Sequence, residues 1–405
     1  EDLENVAQFA LFESGNEEEE VRIAAWRAFK LITAFKPEHP CCKAIAERVS
    51  GTDVKGNTTM TFLKYRVLTN LGYETEKEQE ALYEHDVVSD IFLDNLKSAT
   101  PWIIKAVNIK LLVDQIDYGK HEHILHIAAH FSNLIKVSEN VIVRHDAGHA
   151  LLRIIGLLTP DQRNEIAVEL LKGLEVGEYE FSKYIPQYLG EAALWLPPEQ
   201  LEEILTYLRG LMASPNDRIV SVALDTVGIL LECYPCYRER FNDSQERWEK
   251  RRGQLLGMLL GGLANYRETV RQEALLVLGQ TVFGSSRLDC LQKNGIFALS
   301  FKKILFLLNE NKGEELTAFY RAAALSNICR FITQYRMTQG EFAISERNKV
   351  AFFPGTFDPF TLSHKEIVRE IRDMGYEVYL AVDEFSWSKK AQPHLIRRQI
   401  VNMSV

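Results

Sequence analysis

Apolar positions along residues 1 to about 336 recur at helical spacing, and the pattern itself repeats. The segments align on anchors at Arg22, Lys64, Lys105, Arg144, Ser182, Val220, Arg271 and Arg321, spaced by 42, 41, 39, 38, 38, 51 and 50 residues. Before each anchor stands Val21, Leu63, Ile104, Val143, Phe181, Ile219, Val270 or Tyr320. Seven residues after it stands Phe29, Leu71, Leu112, Leu151, Leu189, Val227, Leu278 or Ile328, so all sixteen are apolar or aromatic. Three residues after the anchors come Ala25, Val67, Asn108, Ala147, Ile185, Ala223, Ala274 and Ala324, mostly small residues that allow neighbouring helices to approach. A glycine follows at Gly72, Gly190, Gly228 and Gly279.

This period resembles HEAT or armadillo-type repeats, whose units run to roughly 40 to 47 residues with two or three helices each. One helix pair cannot bury its apolar face alone, so stacked pairs share a continuous core. The two wide intervals place extra residues at 238–252, a charged stretch around Phe241 and Trp248, and at 284–295. Inserts of this kind read as solvated loops or an extra helix that offers a surface to a partner.

Residues 337–348 form a polar break and read as a linker between a helical-repeat domain, 1–336, and a second domain, 349–405. The run Val350–Phe353 predicts a parallel strand buried on both faces. Ile367, Val368, Ile371 and Met374 predict a helix, and residues 377–382 a second strand. The result is a βαβ unit whose ligand loops, 354–361 and 383–392, lie at the carboxyl ends of the strands and face one site. The first loop reads Pro354-Gly355-Thr356-Phe357-Asp358-Pro359-Phe360-Thr361-Leu362-Ser363-His364. Gly355 allows close backbone approach to a phosphate, and the amides of the first helical turn point at an anion in the loop. Thr361 and Ser363 are candidate N-caps, and Ser363 with Glu366 has the spacing of a capping box.

Gly355 to Pro359 followed by Thr361 to His364 resembles the GTFDP and H/TxGH signature of the cytidylyltransferase-like nucleotidyltransferases. Within them it is most similar to the pantetheine-phosphate and nicotinate-nucleotide adenylyltransferases. Together with the HEAT-like repeats, the resemblance implies a mainly α chain, an α-solenoid followed by an incomplete Rossmann-like α/β segment that binds ATP or CTP. It implies that His364 contacts the phosphates and stabilises charge in the transition state, with Thr361 at the first position of the second motif. Backbone amides near Thr356 and Phe357 would hold phosphate or substrate, and Asp358 falls in the same nucleotide-binding motif. Lys389 or Lys390 would stand near the reacting phosphates, and Arg397 or Arg398 where the family has an arginine after the second loop. Nucleotidyl transfer to a phosphate-bearing acceptor with release of pyrophosphate needs alignment, positive charge and hydrogen-bond donors, with Mg²⁺ bridging the triphosphate. Ser363 departs from the pattern, standing where the signature has glycine. The resemblance covers residues 349–405 only, less than the family domain, so the chain is expected to be an inactive fragment of a longer protein.

Composition narrows the alternatives. With 46% hydrophobic and 25% charged residues, the chain reads as an ordinary globular protein whose apolar runs are shorter than a bilayer span, and a cytoplasmic location is the expectation. From Arg347 onward nine basic residues face seven acidic ones, which leaves −11 of the total −9 for residues 1–346 and argues against nucleic acid as the partner of the repeats. Cys233 and Cys236 form a lone C-x-x-C and read as separate buried or surface thiols. His121, His123, His126, His130, His145-Asp146 and His149 read as histidines between and on helices rather than as a metal site. The competing function classes are therefore a nucleotidyltransferase with a repeat domain that docks a protein partner, and an interaction scaffold with a degenerate nucleotide-binding segment.

Overall fold

The computed structural model describes the chain apart from residues 1, 14, 15, 17, 33, 35–40, 55–57, 74, 76–81, 83–99, 118, 120, 122, 266, 311–314, 342–348, 385–389 and 405. It divides into two compact units, residues 1–188 and 189–405. The first holds α1 (Asp2–Phe12), α2 (Glu19–Ile32), α3 (Cys42–Ser50), α4 (Thr58–Asn70), α5 (Trp102–Asp117), α6 (Ile124–Val137), α7 (Val141–Ile154), α8 (Pro160–Val176) and the single turn α9 (Tyr179–Ser182). Here α2 packs on α4, α4 on α5 and α5 on α7, whereas α1 packs on α3 and α6 on α8. Helices alternate between two layers, and each layer is a stack of like elements, which is the packing of a helical-repeat array.

The helix α10 (Ile185–Ala193) crosses the unit boundary. The second unit then contains α11 (Pro198–Met212), α12 (Asp217–Phe241), α13 (Gln245–Leu263), α14 (Glu268–Leu276, continued by a π-helix over Val277–Phe283), α15 (Cys290–Glu310) and α16 (Glu315–Gln339). The layering recurs: α12 packs on α14 and α14 on α16, while α13 packs on α15. Both positions read from the repeat pattern, three and seven residues after the anchor, are buried in all eight repeats, from Ala25 and Phe29 to Ala324 and Ile328.

Small residues set how closely stacked helices approach. A Cβ on Gly190 would lie 2.6 Å from Ile229, one on Gly228 2.2 Å from Val277, and one on Gly279 2.5 Å from the Ala324 backbone. In the first unit, Gly148 likewise makes room for the fully buried ring of Tyr188. Turns between helices are tied by asparagine. Asn16, Asn140, Asn216 and Asn265 each accept the amide N–H two residues on, at 2.9–3.0 Å. Three anchor arginines reach back to the carbonyl six residues earlier: Arg22 to Asn16, Arg144 to Ser138 and Arg271 to Asn265. The Arg144 guanidinium also lies over the rings of Phe181 and Tyr184, 4.5 and 4.7 Å from their centroids.

Several sequence expectations change. The charged stretch 238–252 is neither one loop nor a separate extra helix: α12 runs to Phe241 and α13 starts at Gln245, leaving only 242–244 between them. Trp248 is buried with its ring 4.9 Å from Tyr234, and Arg251 pairs with Glu202. Among the described residues one helix, α12, is long and apolar enough to cross a membrane, with two thirds of its most apolar window buried inside the protein. Polar Asp225 and Glu232 interrupt its apolar runs, which hid it in the sequence. The stretch read as a linker begins inside α16, which continues to Gln339.

The C-terminal part of the second unit is β1 (Lys349–Gly355), α17 (Leu362–Asp373), β2 (Tyr376–Val382) and α18 (His394–Ser404). The strands pair in parallel from Lys349 opposite Tyr376 to Gly355 opposite Val382. Phe353, Val378, Leu380 and Val382 pack with Val368 of α17 and Val401 of α18. The expectation of burial on both faces is corrected: Val350 and Phe352, on the alternate face of β1, are 56% and 69% exposed because both helices cover the other side. On that open face Glu377 binds the Tyr379 hydroxyl at 3.1 Å and pairs with Lys302 of α15.

Two outcomes follow from the helix packing. Gly279→Ala forces a Cβ against a backbone and is expected to cost about 1–3 kcal/mol, lowering the thermal midpoint. Gly257→Ala on α13, where nothing lies within 4 Å, is expected to gain roughly 0.5–1 kcal/mol through helix propensity. Between α12 and α14, burial and the hydrogen-bonded carboxylate of Glu273 push the Asp225 carboxyl up from 3.8 to about 7. Its protonated form is the stable one when folded, so this contribution is complete below pH 3.8 and is lost as pH rises through about 7. Thermal midpoints across roughly pH 4 to pH 8 are expected to fall less in Asp225→Asn than in the parent.

Candidate functional site

The parallel register brings the carboxyl ends of β1 and β2 side by side, and the Asp383 amide donates to the Gly355 carbonyl at 3.1 Å. The chain then turns through Phe357, which has a left-handed φ of 46°. Its ring is buried among Phe353 and Phe360, with centroids 5.4 Å away in both cases. A Cβ on Gly355 would lie 2.8 Å from the Phe357 ring. In this structure Gly355 therefore makes room for Phe357, a packing demand that close approach to a phosphate had masked in the sequence.

Helix α17 begins at Leu362, so Thr361 is its N-cap and His364 its third residue. This corrects the expected Ser363–Glu366 capping box: Ser363 lies inside the first turn and is exposed. The Thr361 amide donates to His364 Nδ1 at 3.0 Å, and the Thr361 hydroxyl lies 2.9 Å from the same nitrogen. His364 takes the part that Glu or Gln plays in a capping box. Because Nδ1 accepts, the neutral ring carries its proton on Nε2, its remaining donor. The ring stacks on Phe360 at 5.4 Å and meets Phe357 edge-on at 5.3 Å, which fixes its plane.

The remaining predicted residues separate. Asp358 is exposed and accepts the Gln392 amide at 2.7 Å, joining the two loops. Thr356 donates its hydroxyl to Asp383 at 3.4 Å. Arg397 is 1% exposed and donates to the carbonyls of Thr356, Asp383, Glu384 and Gln392. Arg398 is half-buried on α18, Lys390 is exposed, and Lys389 lies outside the described residues. Phe353, Phe360, Asp383 and Gln392, which hold the two loops and the Phe357 ring in place, were not singled out in the sequence. The aromatic residues flanking the glycine loop were the visible signal, whereas the pairing of Asp358 with Gln392 is a long-range contact with none.

Elsewhere, His145 Nδ1 is 2.7 Å from the Tyr188 hydroxyl and His121 Nε2 is 3.1 Å from the Ile116 carbonyl. Burial pushes His130 down to about 4, with His126 and Lys105 adding to it. Among the described residues no three His, Cys, Asp or Glu side chains are placed to hold a metal ion. Cys233 is buried, and burial pushes its thiol up to about 12, away from the reactive thiolate range, while Cys236 is exposed.

No family model matches the chain, and no curated protein sequence matches it either. Among solved structures it is similar to an engineered protein, at 16% identity and a TM-score of 0.32 over 81% of this chain and 78% of that one. It is also similar to Kap121p bound to Pho4p, at 14% identity and a TM-score of 0.42 over 82% of this chain and 39% of that one. The likeness to Kap121p bound to Nup53p has 15% identity and a TM-score of 0.38 over 83% of this chain. The chain spans about two fifths of the length of these Kap121p chains, covering 39% of each.

Gly355→Ala is expected to loosen the C-terminal βα unit by about 1–3 kcal/mol. Amide hydrogen exchange should quicken in β1 and β2 while α12 and α14 keep their protection.

Proposed function

We propose that the chain is a helical-repeat scaffold for a protein partner whose C-terminal βα unit binds the phosphates of a nucleoside triphosphate, ATP or CTP, without transferring the nucleotidyl group. The observation that carries the binding reading is His364: Thr361 and two phenylalanines hold its ring so that the Nε2–H is the donor offered at the start of α17. Amides at a helix start and a fixed imidazole donor suit phosphate oxygens. Supporting the partner reading, Val137, Ile142 and Val176, at the ends of α6, α7 and α8, are exposed apolar residues. Any Mg²⁺ would arrive on the triphosphate, as it keeps few protein ligands, and Asp358 in the first loop and Asp383 and Glu384 at the start of the second are the carboxylates of these loops. Its chemistry would be to neutralise phosphate charge.

The absence of transfer is supported by Ser363, whose side chain stands in the first turn of α17 where the transferase signature has glycine. The retained Gly355-to-Pro359 motif and His364 favour the second reading, nucleotidyl transfer with pyrophosphate release. Calorimetric titration of ATP and CTP with Mg²⁺ decides between them. The parent protein is expected to bind one or both. His364→Gln, whose amide can still accept from Thr361, is expected to keep α17 folded and to bind about tenfold more weakly, the loss of one hydrogen bond to a charged group. Pyrophosphate release that depends on His364 would establish transfer instead. No binding of either nucleotide would leave the scaffold alone.

A further inference from the structure

We infer that Arg397 is a positioning residue that holds Thr356 of the first loop and the two ends of the second, at Asp383–Glu384 and at Gln392, in their binding geometry before any nucleotide arrives, an inference that rests on the nucleotide reading above. The guanidinium is 1% exposed, so a ligand in solvent has almost no surface of it to touch. Its Nε donates to the Gln392 carbonyl at 2.8 Å and one terminal nitrogen to the Thr356 carbonyl at 2.6 Å. The other donates to the Asp383 carbonyl at 2.8 Å and the Glu384 carbonyl at 3.4 Å. Thr356 belongs to the loop after β1, Asp383 and Glu384 open the loop after β2, and Gln392 closes it.

One rigid side chain thus fastens the first loop and both ends of the second. Only arginine can do this, because its planar fork presents donors in three directions at fixed angles, whereas lysine offers its protons from a single atom. Among the described residues no carboxylate pairs with this cation. Among the described residues carbonyl dipoles alone satisfy it, and it is buried where it meets both loops that would receive an anion. A buried cation tied to backbone in this way orders the backbone at Thr356, at Asp383 and Glu384 and at Gln392 in the free protein, so ligand binding need not supply that ordering.

The test uses the 405-residue chain and the variants Arg397→Lys and Arg397→Met, with amide hydrogen exchange measured without nucleotide and calorimetry with ATP and Mg²⁺. Both variants are expected to raise exchange at Thr356, Phe357, Asp383 and Glu384 by about tenfold or more, with β1 and β2 still protected. Both should also weaken ATP binding by about tenfold, the loss appearing in the binding entropy. Rescue of affinity by lysine would overturn the inference, since charge rather than positioning would then be the contribution. Unchanged exchange with weakened binding would overturn it in favour of direct contact, and loss of protection throughout β1 and β2 would make Arg397 a residue of the fold alone. If the parent protein binds no nucleotide, the reading of the site fails, and the exchange measurement by itself still decides whether Arg397 orders the backbone at Thr356, Asp383 and Glu384.

Discussion

The structure depends on how closely stacked helices of one layer can approach. Gly190, Gly228 and Gly279 each receive a residue of the next helix in the space where a side chain would stand. Dispersion and burial fall away steeply with separation, so contacts at this distance decide whether the apolar positions on either side are sealed from water. The burial of Val227 and Leu278 beside these glycines is a result of that approach. Leucine-rich helices kept apart by larger side chains would leave the same residues in partial contact with solvent.

The capping of the turns acts on the same stack from its ends. An asparagine ordering the entry to a helix, and an arginine donating to a carbonyl six residues back, remove backbone groups from the need for water at the points where two layers meet. Arg267 extends this between repeats, since it binds the carbonyls of Ser214 and Pro215 and the carboxylate of Asp217 in the preceding repeat's turn. Packing fixes the distance between helices, and these bonds fix where α2, α7, α12 and α14 start.

Much of this was legible in the chain because period and residue size are local signals. Alanine or another residue fit for burial three places after each anchor, and an apolar residue seven after, identify the buried face without knowledge of any partner. What the anchor arginines do was not legible, because a basic residue at that position reads equally well as solvated. The C-terminal unit divides in the same way. Strand, loop and helix followed from the run Val350–Phe353 and the spacing of Ile367, Val368 and Ile371. The partner of Thr361 did not follow, since the helix starts one residue before Ser363, and a cap shifted by so little exchanges Glu366 for His364. Gly355 and Arg397 show the wider reason. Glycine and arginine belong to the vocabulary of phosphate sites, whereas here each answers a packing or hydrogen-bonding demand made by residues that only folding brings near.

The π-helical turns at Val277–Phe283 bear on how such an array tolerates changes of length. In them the Gly284 amide donates to the Gly279 carbonyl, five residues back, at 2.9 Å. A π turn holds more residues per rotation than an α turn, so it takes in an additional residue without turning the next one away from its neighbour. Gly279 and Leu278 still face inward in the stretch where the repeat spacing widens to 51 and 50 residues. Phase, rather than length, is the quantity the stack preserves, and local rewinding of one helix is how an irregular repeat stays in step with regular ones.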